Sequence, residues 1–251
     1  MLSPVNAFLR VVRPLDFRRV DECRRVLQWL DARTGDRILD VGCGDGYFDR
    51  KMALGGATVT GIDVRPARVA LAKRRNPHPR VTYLHMEAEE LRFPAAAFNK
   101  AVSICVLEHI RDDEAALRRI SRVLEPGGRL VLSCDSLSNR GISQALRRKH
   151  ATRYAVHRFY TRESLAALLE RSGFTLTRAE FVLTTPVSLA ITRGTYLLDD
   201  IGRLPLGFLV KYPGLALAGS LGAVASGLAE RAAPRQGEGL TLIAEAVRRD
   251  R

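Results

Sequence analysis

Aromatic residues make up only 6% of this 251-residue chain. That is thin for a protein that would stack single-stranded bases on ring faces. Cysteine is scarce as well: Cys23, Cys43, Cys105 and Cys134 stand far apart, with no CxxC pair. Such spacing argues against a zinc site or a disulfide scaffold and fits a reducing compartment. The first residues hold no unbroken apolar run of signal-peptide length, so no export signal is expected and the protein reads as cytoplasmic. Lysine is nearly missing: Lys51, Lys73, Lys100, Lys149 and Lys211 are the only lysines among 40 basic residues. No repeat or low-complexity tract occurs. What is there in quantity is arginine, with a net charge of +13, and an apolar fraction of 46% that suffices for a full core. The charge points to an anionic partner or to a genome whose codons favour arginine, and it speaks to association, not chemistry.

Residues 16–31 place Phe17, Val20, Val26, Leu27 and Leu30 at helical spacing, with Asp16 as N-cap and the arginines on the other face. This predicts an amphipathic N-terminal helical cap over residues 1–35. From Arg37 the pattern changes. Short apolar strands are expected at RILDVG, at 57–63, 81–85, 100–107 and 129–135, with helices between them and EPGG (125–128) as a turn before the fifth strand. Strands alternating with helices at this spacing imply right-handed βαβ units and a parallel sheet. The stretch 136–160 holds six basic residues, His150 and His157, and no acid. A helix is expected at 161–173, with Thr161 and Ser164 forming part of a capping box, then strands at 174–184 and 239–249. Residues 185–238 form an apolar insertion between those last two strands.

The loop Asp40-Val41-Gly42-Cys43-Gly44-Asp45-Gly46 sits between the first strand and a helix. Glycines there permit a tight turn and close approach of a ligand to the backbone. Asp63 ends the second strand, where a carboxylate can accept both ribose hydroxyls of an adenosine ligand. A dinucleotide loop reads GxGxxG and lays a pyrophosphate on the helix N-terminus. Here the glycines run GxGxG, and the following helix opens Tyr47-Phe48-Asp49, an acid that would repel a pyrophosphate. The phosphate-free, cationic S-adenosyl-L-methionine suits that acidic surround.

The stretches ILDVGCGDGYF (38–48), VTGIDVRP (59–66), HMEAEELRFPAAAFNKAVSICVLEHI (85–110) and RVLEPGGRLVLS (122–133) resemble the class I S-adenosylmethionine-dependent methyltransferases. Within that class they resemble the branch that includes ubiquinone and menaquinone C-methyltransferases, and HRFYTRESLAALLERSGF (157–174) is similar to its later region. The resemblance implies a Rossmann-like seven-stranded, mostly parallel sheet with helices on both faces. It places Asp40, Gly42 and Gly44 at the methionine end of the cofactor, Cys43 among the cofactor-binding residues, and Asp63 and Val64 at ribose and adenine. Glu87 stands where the family has an Asp that accepts from the adenine amino group, with the Ala88 backbone beside it. Cys105 and Val106 would line the cofactor after the fourth strand, and the LEH signature sets His109 toward the transfer centre. His109, together with His157, is the candidate general base. His150 reads as a solvated surface residue.

Methyl transfer from a sulfonium leaves a neutral thioether, so no catalytic acid, triad or metal is required, and no metal site is expected. After the fourth strand the chain reads Ser103-Ile104-Cys105-Val106, without the Asp/Asn-Pro-Pro-aromatic motif of base amino-methyltransferases. Nucleic acid therefore loses ground despite the charge. Leu204 to Ala229 contains one charge, Lys211, with Leu217, Leu221, Val224 and Leu228 as a helical stripe and Gly219, Ala223 and Gly227 as a small-residue face. This segment reads as a lid over the acceptor, an interfacial membrane segment or a span. Arg140, Arg147, Arg148, Arg153 and Arg158 offer guanidinium forks to a phosphate or carboxylate head group, or form a solvated basic face. Together they point to a small-molecule or lipid-like anionic acceptor and leave an anionic membrane surface open as a partner. The domain reading is a core over 36–184 containing the basic insert 136–160, an apolar insertion at 185–238, and the last core strand in 239–251. The rival functions are an RNA methyltransferase, favoured by the +13 charge, and a non-catalytic cofactor-binding scaffold.

Overall fold

The computed structural model describes residues 17–202 and 237–250, with residues 214, 221, 222, 224–226, 228 and 229 between them. The Asp16 cap and the stripe positions Leu217, Gly219, Ala223 and Gly227 lie outside the described residues. Helix α1 spans Phe17–Leu30, and β1 follows at Arg37–Val41. Then come α2 (Tyr47–Leu54), β2 (Thr58–Asp63), α3 (Pro66–Arg75), β3 (Val81–His85) and β4 (Phe98–Ile104). The second half holds α4 (Asp113–Val123), β5 (Leu124–Asp135), α5 (Gln144–Tyr154), α6 (Arg162–Arg171), β6 (Phe174–Val182), α7 (Pro186–Ile201) and β7 (Thr241–Arg248). The strands form one sheet in the order β3-β2-β1-β4-β5-β7-β6. Pairing is parallel from β3 to β5, while β7 runs antiparallel to both β5 and β6. This is the Rossmann-like sheet expected, with the strand order reversing between β1 and β4.

Alternation along each buried strand sends neighbours to opposite faces. Leu39, Val41 and Leu130 pack under α4 and α6, through Leu117, Ile120, Leu165 and Leu168. Ile38, Val59, Val102 and Val131 face the other way and meet Val26, Trp29 and Leu30 of α1 and Met52 of α2. The arginines of α1 do not all face solvent: Arg25 is buried and pairs with Glu180 at 2.5 Å. Arg178 of β6 lies over the Trp29 ring, 3.9 Å from its centroid.

Three local expectations change. The fourth strand ends at Ile104, because Cys105 takes a positive φ of 49° and turns the chain out of the sheet. EPGG lies within β5, where the pairing jumps from Phe98↔Leu124 to Lys100↔Arg129 across a bulge. The α6 capping box is complete: Ser164 N–H donates to Thr161 Oγ1 at 3.1 Å, and Thr161 N–H donates to Ser164 Oγ at 2.9 Å.

Candidate active site

In a doubly wound sheet the ligand crevice lies beyond the carboxyl ends of the strands, where the order reverses. The residues expected to hold the cofactor all reach that edge. Asp40, Gly42, Cys43 and Gly44 leave β1, Asp63 and Val64 leave β2, Glu87 and Ala88 follow β3, and Cys105 and Val106 follow β4. Gly42 and Cys43 N–H both donate to the Ile62 carbonyl at 2.8 Å, which pins the loop to β2. Gly42 has φ +84°, and a Cβ there would meet Val106 Cγ2 at 2.3 Å. The loop is thus a bare backbone cradle that a side chain would fill. Asp63 is buried; its Oδ2 accepts from Gly44 N–H at 3.1 Å and its Oδ1 from Arg65 N–H at 2.8 Å. Ala88 is buried, whereas Val64 and Glu87 are exposed. Bare backbone, a ribose-range carboxylate and no cation inside the loop together fit an adenosyl group carrying a positive sulfonium.

Beneath the loop lies a feature the sequence did not disclose. Asp40 and Asp49 point into the same buried space on the α2 side of β1, and neither Asp49 oxygen has a well-formed hydrogen bond. Burial pushes the Asp40 carboxyl up to about 7, with the Asp63 charge adding to it. Burial and the Asp40 charge likewise raise Asp49 well above the ordinary carboxylate range. The pair shares a protonated state near neutrality. The Cys43 thiol is also held up by burial and by these acids, so it is an inert wall residue.

Beyond β4 and β5 the wall is acidic. Cys105 donates its thiol to Glu22 Oε1 at 2.8 Å, and Cys105 N–H donates to the Ser133 carbonyl at 3.0 Å. Cys105 Sγ and carboxylate oxygens of Glu108 and Asp135 lie within 4.8 Å of one another, in the one potential metal-ligand grouping among the described residues. His109 and His157, the expected bases, both stand exposed. His109 Nδ1 lies 3.3 Å from the Ala155 carbonyl, and His157 N–H donates to the Glu108 carbonyl at 2.8 Å.

His150, expected on the solvated face, is instead buried between Asp135 and Tyr196. Its polar sequence neighbours mask a position that β5 and α7 enclose. The basic stretch is likewise not an open anion cradle. Arg147 donates to the Leu137 carbonyl, Arg158 pairs with Asp113 at 3.1 Å, Arg140 with Glu238 at 3.2 Å, and Lys149 with Asp200.

A seven-stranded sheet of this order with a glycine cradle and a ribose-range carboxylate defines a class I S-adenosylmethionine-dependent methyltransferase. The chain belongs to the Methyltransferase domain family, whose profile matches residues 16–179, and its cofactor is S-adenosylmethionine. It is 37% identical over 114 residues to the ubiquinone biosynthesis O-methyltransferase of Pseudomonas syringae pv. tomato, a match covering 43% of this chain and 49% of that protein. It is also 37% identical over 113 residues to the 27-O-demethylrifamycin SV methyltransferase of Amycolatopsis mediterranei, covering 43% and 42%. The chain thus spans about half the length of the curated relatives it matches. In three dimensions it is similar to an S-adenosylmethionine-dependent methyltransferase from Mesorhizobium loti, with a TM-score of 0.63 at 23% identity, covering 92% of this chain and 100% of that one. It is also similar to phosphoethanolamine N-methyltransferase 2 from Haemonchus contortus, with a TM-score of 0.64 at 22% identity, covering 92% and 53%. At these identities the two structures speak for the fold alone.

Proposed function

We propose that this protein methylates a hydroxyl group on a small, largely apolar acceptor. The observation that carries the reading is the single strand edge that joins the glycine cradle to the buried acidic wall past β4 and β5. The O-methylating activity named for two curated relatives supports oxygen as the acceptor atom. When bound, S-adenosylmethionine supplies an electrophilic methyl group whose leaving thioether is neutral.

This chain's residues do the rest. Asp63 holds the ribose hydroxyls, and the Ala88 backbone with Glu87 borders the adenine. Asp40, Gly42 and Gly44 receive the methionine end. Cys105 and Val106 close the wall beside the methyl group. The rate gain comes from holding the acceptor oxygen in line at roughly 3–3.5 Å. His109 and His157, at the exposed rim, are placed to pass protons to solvent.

The apolar insertion supports a further part of the reading. Leu221, Val224 and Leu228 are helical and exposed, while Ser226 turns inward to bond Ser188 Oγ at 2.7 Å. That exposed stripe, on a chain of net charge +13, suits an anionic membrane surface from which an apolar acceptor would be drawn. No helix among the described residues is long and apolar enough to cross a membrane.

The test is incubation with methyl-labelled S-adenosylmethionine and whole-cell extract, followed by partition between organic and aqueous phases. Label in an organic-soluble, hydroxyl-derived ether is the expected result. Label in RNA or protein overturns the reading.

A further inference from the structure

The glycine loop is held from two sides. Towards β2, the Ile62 carbonyl takes the N–H groups of Gly42 and Cys43. Towards the sheet edge, two side chains from α3 and β3 reach the far half of the loop. Tyr83, in the middle of β3, donates its hydroxyl to the Gly46 carbonyl at 3.1 Å. That carbonyl also takes Arg50 N–H at 3.1 Å, in the first turn of α2. The Tyr83 hydroxyl lies 3.0 Å from the Asn76 carbonyl as well, so its one hydrogen serves two acceptors. Asn76 follows the last residue of α3 and donates its Nδ2–H to the Asp45 carbonyl at 2.8 Å. Arg75 Nη1 stands 3.8 Å from Asp45 Oδ2.

Local sequence explains how these side chains arrive there. Asn76 precedes Pro77, which disfavours helical backbone at Asn76 and ends α3 at Arg75. Pro77 and Pro79 each fix a backbone angle in the short return to β3. Tyr83 is 4% exposed, and its ring packs with Cys43 of the loop and with Val69 and Ala72 of α3. These four form their own small cluster beside the two larger ones. Gly46 stands at the N-terminus of α2 with φ +78° and no side-chain cap. A Cβ at Gly46 would meet the Tyr83 hydroxyl oxygen at 2.3 Å. The third glycine of the loop thus leaves room for a tyrosine hydroxyl. Burial, with the Asp49 charge adding to it, holds the Tyr83 phenol well above its ordinary range, so it stays a donor at every working pH.

Packing alone would be met by phenylalanine. The hydroxyl adds a bond to the loop backbone, and that backbone is the cradle. A loop released at Asp45 and Gly46 would sample other shapes, and apparent affinity falls with the fraction that keeps the receiving shape. The larger clusters take no part, so the loss is confined to capture of the cofactor.

We propose that Tyr83 and Asn76 form a latch that holds the glycine loop in its cofactor-receiving shape and so sets the affinity for S-adenosylmethionine. Both are positioning residues, acting through the Asp45 and Gly46 backbone. The proposal rests on the reading that this loop receives the methionine end of the cofactor.

The experiment compares the wild-type chain with Tyr83→Phe, Asn76→Ala and Val26→Ala, the last a buried position on α1 away from the loop. Calorimetry gives the Kd for adenosylhomocysteine. Each latch variant binds roughly 5–30-fold more weakly, the range for a buried hydrogen bond removed from one side. Val26→Ala lowers the thermal midpoint but keeps its affinity within about twofold of wild type. In label transfer into the organic fraction of cell extract, the KM for S-adenosylmethionine rises by the same factor as Kd, while kcat stays within about twofold. Amide hydrogen exchange over residues 42–46 is faster in ligand-free Tyr83→Phe than in wild type, and saturating adenosylhomocysteine brings the two together. Should Asn76→Ala fail to fold, Tyr83→Phe, which loses one oxygen, decides. The latch is overturned if Tyr83→Phe binds within about twofold of wild type or if its kcat at saturating cofactor falls as far as its affinity. Unchanged exchange over 42–46, or an equal loss of affinity in Val26→Ala, overturns it too. A wild type that binds no adenosylhomocysteine sinks the cradle reading, and the latch with it. A wild type that binds while Tyr83→Phe binds equally sinks the latch alone.

Discussion

Asp49→Asn should make the protein more stable at pH 8 and should flatten its dependence on pH. Asp49 is fully buried under the glycine loop, and a Cβ built on Gly61 would sit 2.6 Å from its Oδ1, so the space fits a side chain of this shape and little else. Asparagine keeps the shape and removes one acid. In the wild type Asp40 holds its proton up to about 7 in the fold, against 3.8 for an ordinary aspartate. Between those values the folded state binds more protons than the unfolded state, so this group's contribution to stability is fully present below pH 4 and is lost as pH rises through 7. One proton held across that interval amounts to about 4 kcal/mol. In Asp49→Asn the amide can donate to Asp40, which then ionises beside a hydrogen bond instead of a second carboxyl. A charge-assisted bond of that kind is worth roughly 1.5–3 kcal/mol. Urea unfolding at pH 5, 6, 7 and 8 reads both slopes. A wild type whose stability is level from pH 5 to 8, or a variant with the same slope, refutes the buried shared proton.

Asp63→Asn should weaken adenosylhomocysteine binding roughly 10–100-fold, the cost of one or two charged hydrogen bonds to ribose, as calorimetry would show. An unchanged affinity would remove Asp63 from the ribose site. Gly42→Ala places a Cβ against Val106 at a φ of +84° and should cost about 1–3 kcal/mol, read as a lower thermal midpoint and weaker cofactor binding. The wild type should sediment with anionic phospholipid vesicles at 0.15 M salt (roughly physiological screening) and remain in solution with neutral ones, and the double variant Leu221→Asp, Val224→Asp should not sediment. Wild type that ignores both vesicle types would refute the membrane contact.

The parallel half of the sheet was legible because independent local signals agree there. RILDV is apolar on both faces, glycines follow at once, and Asp63 recurs one βα unit later. Where a single local signal stood alone, it misled. The apolar run 100–107 continues past the true end of β4, because the turn at Cys105 comes from a positive φ and from contacts with Ser133 and Glu22, which the chain supplies 28 and 83 residues away. His150 sits among Arg147, Arg148 and Lys149, and nothing in that neighbourhood marks it as interior. Its burial is set by Asp135 and Tyr196, 15 residues before it and 46 after. A polar residue that only tertiary contacts enclose leaves no periodicity to read.

The same separation explains why net charge says little about the site. The chain carries +13, yet Asp40, Asp49, Asp63, Glu108 and Asp135 are all buried along the carboxyl edge of the sheet. Among the described residues several arginines are tied to carbonyls or to acids away from the glycine loop. Composition adds these two populations together. The fold keeps them apart, so the sum of charges describes the surface and not the crevice.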